Sequence, residues 1–221
     1  MNRRRMLITA GPTHEPIDAV RYLANRSSGR MGIALAAAAR QAGWDATLLL
    51  GPVSVAPPED VQVIRFSSTA DLEALLDAHF PQCDVLVMAA AVADYRPRGV
   101  SQGKLARIPQ NLLLELEPTP DLVAKCAARR RPHQRVVGFA LEDASILDER
   151  ATEKLRRKKL DALVANPLAT MGASDVTATV YLPDGRRSSP AKTDAGKTGM
   201  DKHAFARWLI DWIGEEMQKS G

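Results

Sequence analysis

The residues best suited to chemistry begin with Ser27-Ser28-Gly29-Arg30-Met31-Gly32, two hydroxyls and two glycines placed where an apolar, alanine-rich helical segment starts. Amides in the first turn of a helix have no partner within the helix, and the dipole is positive there, so a phosphate is the natural guest. The bland alternative is that Ser28 caps the helix and the glycines allow close packing. The segment is neither GxGxxG nor a Walker loop. Asn25, just upstream, carries a neutral amide that can hold a developing oxyanion or merely satisfy loop backbone. Asp94, in AAVADYRP, follows the most apolar run of the chain and suits a nucleotide's sugar or base, a metal, or a turn cap. Lys104 lies in a glycine-containing loop, where a lysine either closes on phosphates or stays solvated. Lys154 and Lys158 are four residues apart on one helical face and either clamp a triphosphate or form a solvated basic face. His14, His79, His133 and His203 show no metal-ligand spacing, and no Ser/His/Asp arrangement stands out.

These residues need a scaffold, and the apolar pattern supplies one. Short apolar runs predict strands at 6–10, 46–50, 61–66, 84–91, 135–140 and 162–165, with helical segments between most of them. Ser68 with Asp71 has the form of a capping box opening a helix to Phe80. Thr119 and Pro120 read as the cap and first residue of a helix to Ala128, and residues 143–159 as another helix. Asp184-Gly185 predicts a tight turn closing a hairpin that starts near Thr177. Phe205, Trp208, Leu209, Trp212 and Ile213 form the core-facing stripe of a last helix. The class is α/β: a Rossmann-like, doubly wound, mostly parallel sheet with a C-terminal hairpin and helix, in one domain over residues 1–221. Such sheets bind ligands beyond the carboxyl ends of their strands. The connection from Gly11 to Gly29 is far longer than the usual few residues, which marks it as functional.

Composition excludes more than it identifies. The chain has 221 residues, 45% hydrophobic and 25% charged, enough for a full core without staples. A net charge of +4 raises the possibility of nucleic acid. The basic residues, however, sit in three clusters at 3–5, 129–131 and 150–159 with no interleaved aromatics, so the stacking platform of a single-strand binder is missing. Phosphorylated small molecules explain the charge, and neither nucleic acid nor membrane is expected as a partner. Cys83 and Cys126 are too few for a disulfide framework or a metal site, and no segment has the length of a signal peptide or membrane span, so a cytoplasmic protein is expected.

Taken together, ITAGPTHEPIDAVRYLANRSSGRMG, AAVADYRP followed by Lys104, PTPDLV, GFALE and KLRRKKLDALVAN resemble phosphopantothenoylcysteine synthetases, in the same order and at similar spacing over about residues 6–166. The resemblance implies a Rossmann-like homodimer that joins 4′-phosphopantothenate to L-cysteine through an acyl nucleotidylate, using CTP or ATP with Mg2+. It implies catalytic roles for Asn25, on the acyl group, and for Lys104, on the phosphates. Met88, Ala89, Ala90, Asp94, Pro120, Asp121, Leu122, Val123, Phe139, Lys154 and Lys158 match nucleotide-contacting positions, and Gly11, Ser27, Ser28, Gly29 and Gly32 match phosphate-side loops. No residues are implied as metal ligands. The chain departs from the family at Leu105-Ala106-Arg107, where further lysines are common, at Pro167, and in GASDVTATV, which lacks the usual asparagines. Many bacterial members follow a flavin-dependent decarboxylase domain, for which 221 residues leave no room; a free-standing synthetase or an excised domain is expected. The rival reading is a Rossmann-like nucleotide-binding oxidoreductase, which would require GxGxxG where this chain has GPTHEP.

Overall fold

The computed structural model describes residues 3–170, 175–191 and 199–219. Strand β1 (Arg5–Ala10) alternates, sending Met6, Ile8 and Ala10 to one face of the sheet and Leu7 to the other. A short hairpin of β2 (His14–Pro16) and β3 (Tyr22–Ala24) leads to α1 (Arg30–Gln41). Then come β4 (Asp45–Leu50), β5 (Gln62–Arg65), α2 (Thr69–His79) and β6 (Val85–Met88). A second hairpin, β7 (Tyr95–Pro97) with β8 (Leu116–Pro118), precedes α3 (Leu122–Arg129), β9 (Arg135–Glu142), α4 (Leu147–Arg157) and β10 (Ala162–Pro167). The chain continues through β11 (Asp175–Val176), β12 (Thr179–Tyr181), β13 (Arg187–Ser188), β14 (Met200–Asp201) and α5 (Lys202–Lys219).

Eight strands form one sheet in the order β13-β12-β10-β9-β6-β1-β4-β5. The six from β10 to β5 are parallel, and β12 and β13 add an antiparallel edge. Numbered along the chain, the parallel strands run 6-5-4-1-2-3, so the winding reverses between β1 and β6. Helices α1 and α5 cover one face and α2, α3 and α4 the other. Burial on both faces is why β4 and β6 read as continuous apolar runs. The expected α/β class, C-terminal hairpin and last helix are all present; Phe205, Leu209 and Ile213 are buried with Trp208 and Trp212 packed beside them. Both cysteines are buried, which pushes their thiols up, Cys83 to about 12.

Four expectations need correction. The long connection after β1, read as a loop, contains the β2–β3 hairpin, with His14 stacked on Tyr22 at 3.7 Å between ring centroids. The strand expected over 84–91 ends at Met88, because Ala90 N–H leaves the ladder for the Thr9 hydroxyl at 3.0 Å. Helix α3 opens at Leu122 rather than Pro120, capped by Asp121, whose carboxylate accepts from Ala124 N–H at 3.2 Å. Thr119 is engaged elsewhere, donating its hydroxyl to Ala93 O and its amide to Asp94 O. Helix α4 starts at Leu147 rather than residue 143, because β9 runs on to Glu142, paired with Pro167.

Candidate active site

The carboxyl ends of β1 and β6, where the winding reverses, open into a cavity of about 580 Å3. On one side stands the start of α1. Its N-cap, Gly29, has φ +69 and receives no side-chain cap, so Ser28 does not cap the helix and the first-turn amides face the cavity margin uncapped. A Cβ on Gly29 would come within 2.9 Å of Val53, and one on Gly32 within 2.4 Å of Ala10 Cβ; glycine at these positions lets α1 seat directly on the end of β1. Ser27, Ser28, Gly29 and Gly32 all line the cavity. Gly11 does not; with φ +84 and Val53 at 3.0 Å from its notional Cβ, it turns the chain behind the wall.

The opposite wall is the segment 88–94 that leaves β6. The Asn25 amide donates to Val92 O at 2.9 Å and Ala91 O at 3.3 Å, bridging the α1 loop to this segment. Asp94 stands exposed at the rim. Pro120, Asp121, Leu122 and Val123 from the start of α3 form a third side, and half-buried Phe139 from β9 forms part of the floor. Lys154 and Lys158 reach the cavity from α4, but each is already held: Lys154 by Glu142, and Lys158 by Asp121 at 3.0 Å. The basic face of α4 is therefore divided, with these two half-buried at the site and Arg156 and Arg157 exposed.

The structure also brings in residues that the sequence did not single out. Arg26, Arg30 and Lys202 line the cavity, Lys202 held below its ordinary lysine range by burial and by the nearby Arg30 charge. With Lys154 and Lys158 they make five cations against two carboxylates, Asp94 and Asp121, so the cavity favours an anion. Asn166, at the end of β10, also lines it with its carboxamide oxygen buried and unpartnered. Lys202 gave no signal in sequence, whereas Arg26 lay in the marked connection, Arg30 in the Ser27–Gly32 segment and Asn166 at the end of KLRRKKLDALVAN.

Lys104 is the one expected catalytic residue outside the cavity. Its neighbour Leu105 is clasped from both sides, its N–H donating to Asp18 Oδ2 at 3.0 Å and its carbonyl accepting from Arg21 Nη2 at 3.0 Å. The buried Asp18 carboxyl is held well below the usual carboxylate range, chiefly by the Arg21 guanidinium and then by the Val20, Arg21 and Leu105 amides, against its desolvation. The Lys104 segment thus docks on the β2–β3 turn. A second cleft, about 710 Å3, lies at the amino ends of β9 and β10. Its Arg130 and Arg186 are paired with carboxylates, and Arg131 and Lys159 follow the C-terminal ends of α3 and α4, where cations offset helix dipoles.

The model of the DNA/pantothenate metabolism flavoprotein C-terminal domain matches residues 1–217. The chain belongs to this family. A solved structure of the C-terminal domain of the Coenzyme A biosynthesis bifunctional protein CoaBC superposes with a TM-score of 0.81 at 32% identity, covering 98% of this chain and 96% of that one. Among curated family relatives, a cysteine/cysteine sulfinic acid decarboxylase from an unknown prokaryotic organism is 44% identical over 174 residues, 78% of this chain and 48% of that protein. The bifunctional protein CoaBC of Vibrio cholerae serotype O1 is 37% identical over 220 residues, 97% of this chain and 53% of that protein. The chain therefore spans about half the length of these relatives. The synthetase resemblance read from the sequence and the family agree.

Proposed function

We propose that this chain is a ligase of coenzyme A biosynthesis that joins 4′-phosphopantothenate to L-cysteine, with CTP or ATP as co-substrate. The observation that carries the reading is the cation-rich cavity at the reversal point of the sheet, with Asn25 and the uncapped start of α1 on its wall. A carboxylate is a poor electrophile. In the first half-reaction its oxygen attacks the α-phosphorus of the nucleotide, the bond to the bridging oxygen breaks, and pyrophosphate leaves, giving an acyl nucleotidylate. In the second, the cysteine amine attacks the acyl carbon, sheds a proton and expels the nucleoside monophosphate.

Positive groups must offset charge during phosphoryl transfer. In this reading the α1 amides with Ser27, Ser28, Gly29 and Gly32 hold a phosphate, and Gly11 supports that turn from behind. Met88, Ala89, Ala90, Asp94, the Pro120 to Val123 corner, Phe139, Lys154 and Lys158 surround the nucleotide. Asn25, fixed through its NH2 group, presents its carbonyl edge to the acyl group. Lys104 takes part when its loop moves over the cavity mouth. Magnesium fits as a companion of the triphosphate, for Mg2+ commonly needs only one or two carboxylates besides substrate phosphates. In this reading Asp94 would hold it, Asp121 being paired with Lys158.

A homodimer completes the proposal. The β2–β3 and β7–β8 hairpins lie side by side, and they and the residues between β7 and β8 expose Tyr22, Tyr95, Leu112, Leu113 and Leu116, Leu113 at 90%. An apolar patch of this kind on a soluble domain marks an association surface, here for a second copy. Among the described residues no helix is long and apolar enough to cross a membrane, and a cytoplasmic site of action is part of the reading. The oxidoreductase alternative loses ground to the β2–β3 hairpin, which separates β1 from α1 where a dinucleotide fold passes directly from strand to helix. The decarboxylase name belongs to a relative of which this chain covers 48%.

The deciding experiment is pyrophosphate release from 4′-phosphopantothenate with CTP or ATP, with and without cysteine. Release with one nucleotide, and amide product only when cysteine is added, is expected. No release with either nucleotide removes the ligase reading.

A further inference from the structure

We infer that Thr13, Thr69 and Glu15 form a buried hydrogen-bond relay that positions Asn25 from behind the cavity wall. Beyond β6 the regular ladder is reduced to one parallel bridge, Pro12 with Ala91, so the other amides of this segment need side-chain partners. Ala90 N–H takes the Thr9 hydroxyl and Ala91 N–H takes Gly11 O at 2.9 Å. Ala93 N–H donates to Thr13 Oγ1 at 3.0 Å. Thr13 and Thr69 are fully buried and Glu15 is 3% exposed, so no solvent competes for these groups.

The relay is held at its far end by Glu15. Glu15 Oε1 accepts from Thr69 N–H at 2.9 Å, and Thr69 Oγ1 lies 2.7 Å from the same oxygen. A hydroxyl has one proton, and the shorter contact, to Glu15, takes the larger share of it. Thr69 Oγ1 also donates toward Thr13 Oγ1, 3.2 Å away. Thr13 Oγ1 thus accepts from both Thr69 Oγ1 and Ala93 N–H, which ties the segment leaving β6 to the start of α2. The carboxylate end is stabilised by its place at the first turn of α2, where the dipole is positive. The two residues before Ala93 supply the carbonyls, Ala91 O and Val92 O, that grip the Asn25 amide. Thr13 and Glu15 do not line the active-site cavity; they act through Asn25, and the inference rests on the proposed role of that residue.

The test uses Thr13→Val, which keeps shape and loses the hydroxyl, with Thr13→Ser as rescue and Thr69→Val as a second break in the same relay. The primary readout is independent of turnover: the Asn25 side-chain NH2 resonances, assigned by their loss in Asn25→Ala. They are expected to shift or broaden in Thr13→Val and Thr69→Val and to return in Thr13→Ser. In pyrophosphate release, kcat should fall ~10-fold or more in Thr13→Val with nucleotide Kd within about threefold, since small misplacements of a reacting group cost rate more than binding. Should Thr13→Val not fold, Thr69→Val decides. Unmoved Asn25 resonances in a folded relay variant overturn the inference, whatever its melting temperature. A wild type that releases no pyrophosphate sinks the ligase reading and leaves the resonance test to decide the relay.

Discussion

Asn25 shows how partners decide which edge of an ordinary residue is left for a ligand. Its amide nitrogen is spent on two carbonyls, so only the carbonyl edge remains for a ligand. Asn25→Ala is therefore expected to lower pyrophosphate release ~100-fold, the order seen when a reacting group is misplaced, while calorimetric nucleotide binding changes little. Turnover at the wild-type rate would refute that role. Asp18 makes a different prediction, about pH. Its folded carboxyl titrates below its unfolded value of about 3.9, so the stabilisation it contributes is fully present above that value and is lost as pH falls through the folded one. Calorimetric melting of wild type and Asp18→Asn should show a gap that is constant from pH 5 to 7 and narrows progressively as pH falls below about 4. A gap that does not narrow between pH 4 and pH 2 would mean that the Arg21 pairing is not its source.

At the scale of elements, α1 shows most clearly how local sequence and tertiary fit combine. The helix must present its first turn at the end of β1, and this requires no Cβ at Gly32, where one would sit 2.4 Å from Ala10 Cβ. Gly32→Ala should cost about 1–3 kcal/mol in urea unfolding, the range of overpacking, and should weaken triphosphate binding because the helix start is displaced. Unchanged stability and binding would show that α1 tolerates the shift. The capping box of Ser68 and Asp71 was legible in sequence because both of its bonds are local, and both are present. The cap of α3 was misread for the complementary reason. Thr119 has the right type, yet its hydroxyl and amide are claimed by Ala93 and Asp94, some 25 residues earlier, which left Asp121 to cap the helix.

For the molecule as a whole, the exposed apolar residues of the two hairpins lead to a prediction about assembly. Sedimentation should find a dimer for the wild type, and Leu113→Asp should shift it toward monomer by placing a charge in the patch. A wild type that is monomeric at tens of micromolar would count against the homodimer. Much of the architecture was determined by sequence alone: doubly buried strands must be continuously apolar, the last helix must show its stripe, and the long segment between β1 and α1 had to serve some purpose. Within the cavity, Ser27 to Gly29, Gly32, Asp94 and Phe139 were legible because family motifs and strand ends mark them. The tertiary structure decided the rest. Lys202 reaches the cavity from an element whose sequence gives no sign of it, Gly11 serves behind the wall rather than on it, and Lys104 is parked on the β2–β3 turn by Asp18 and Arg21. The reason is physical. Periodicity and caps depend on neighbours within a few residues, whereas convergence on one cavity depends on which strand ends the winding brings together.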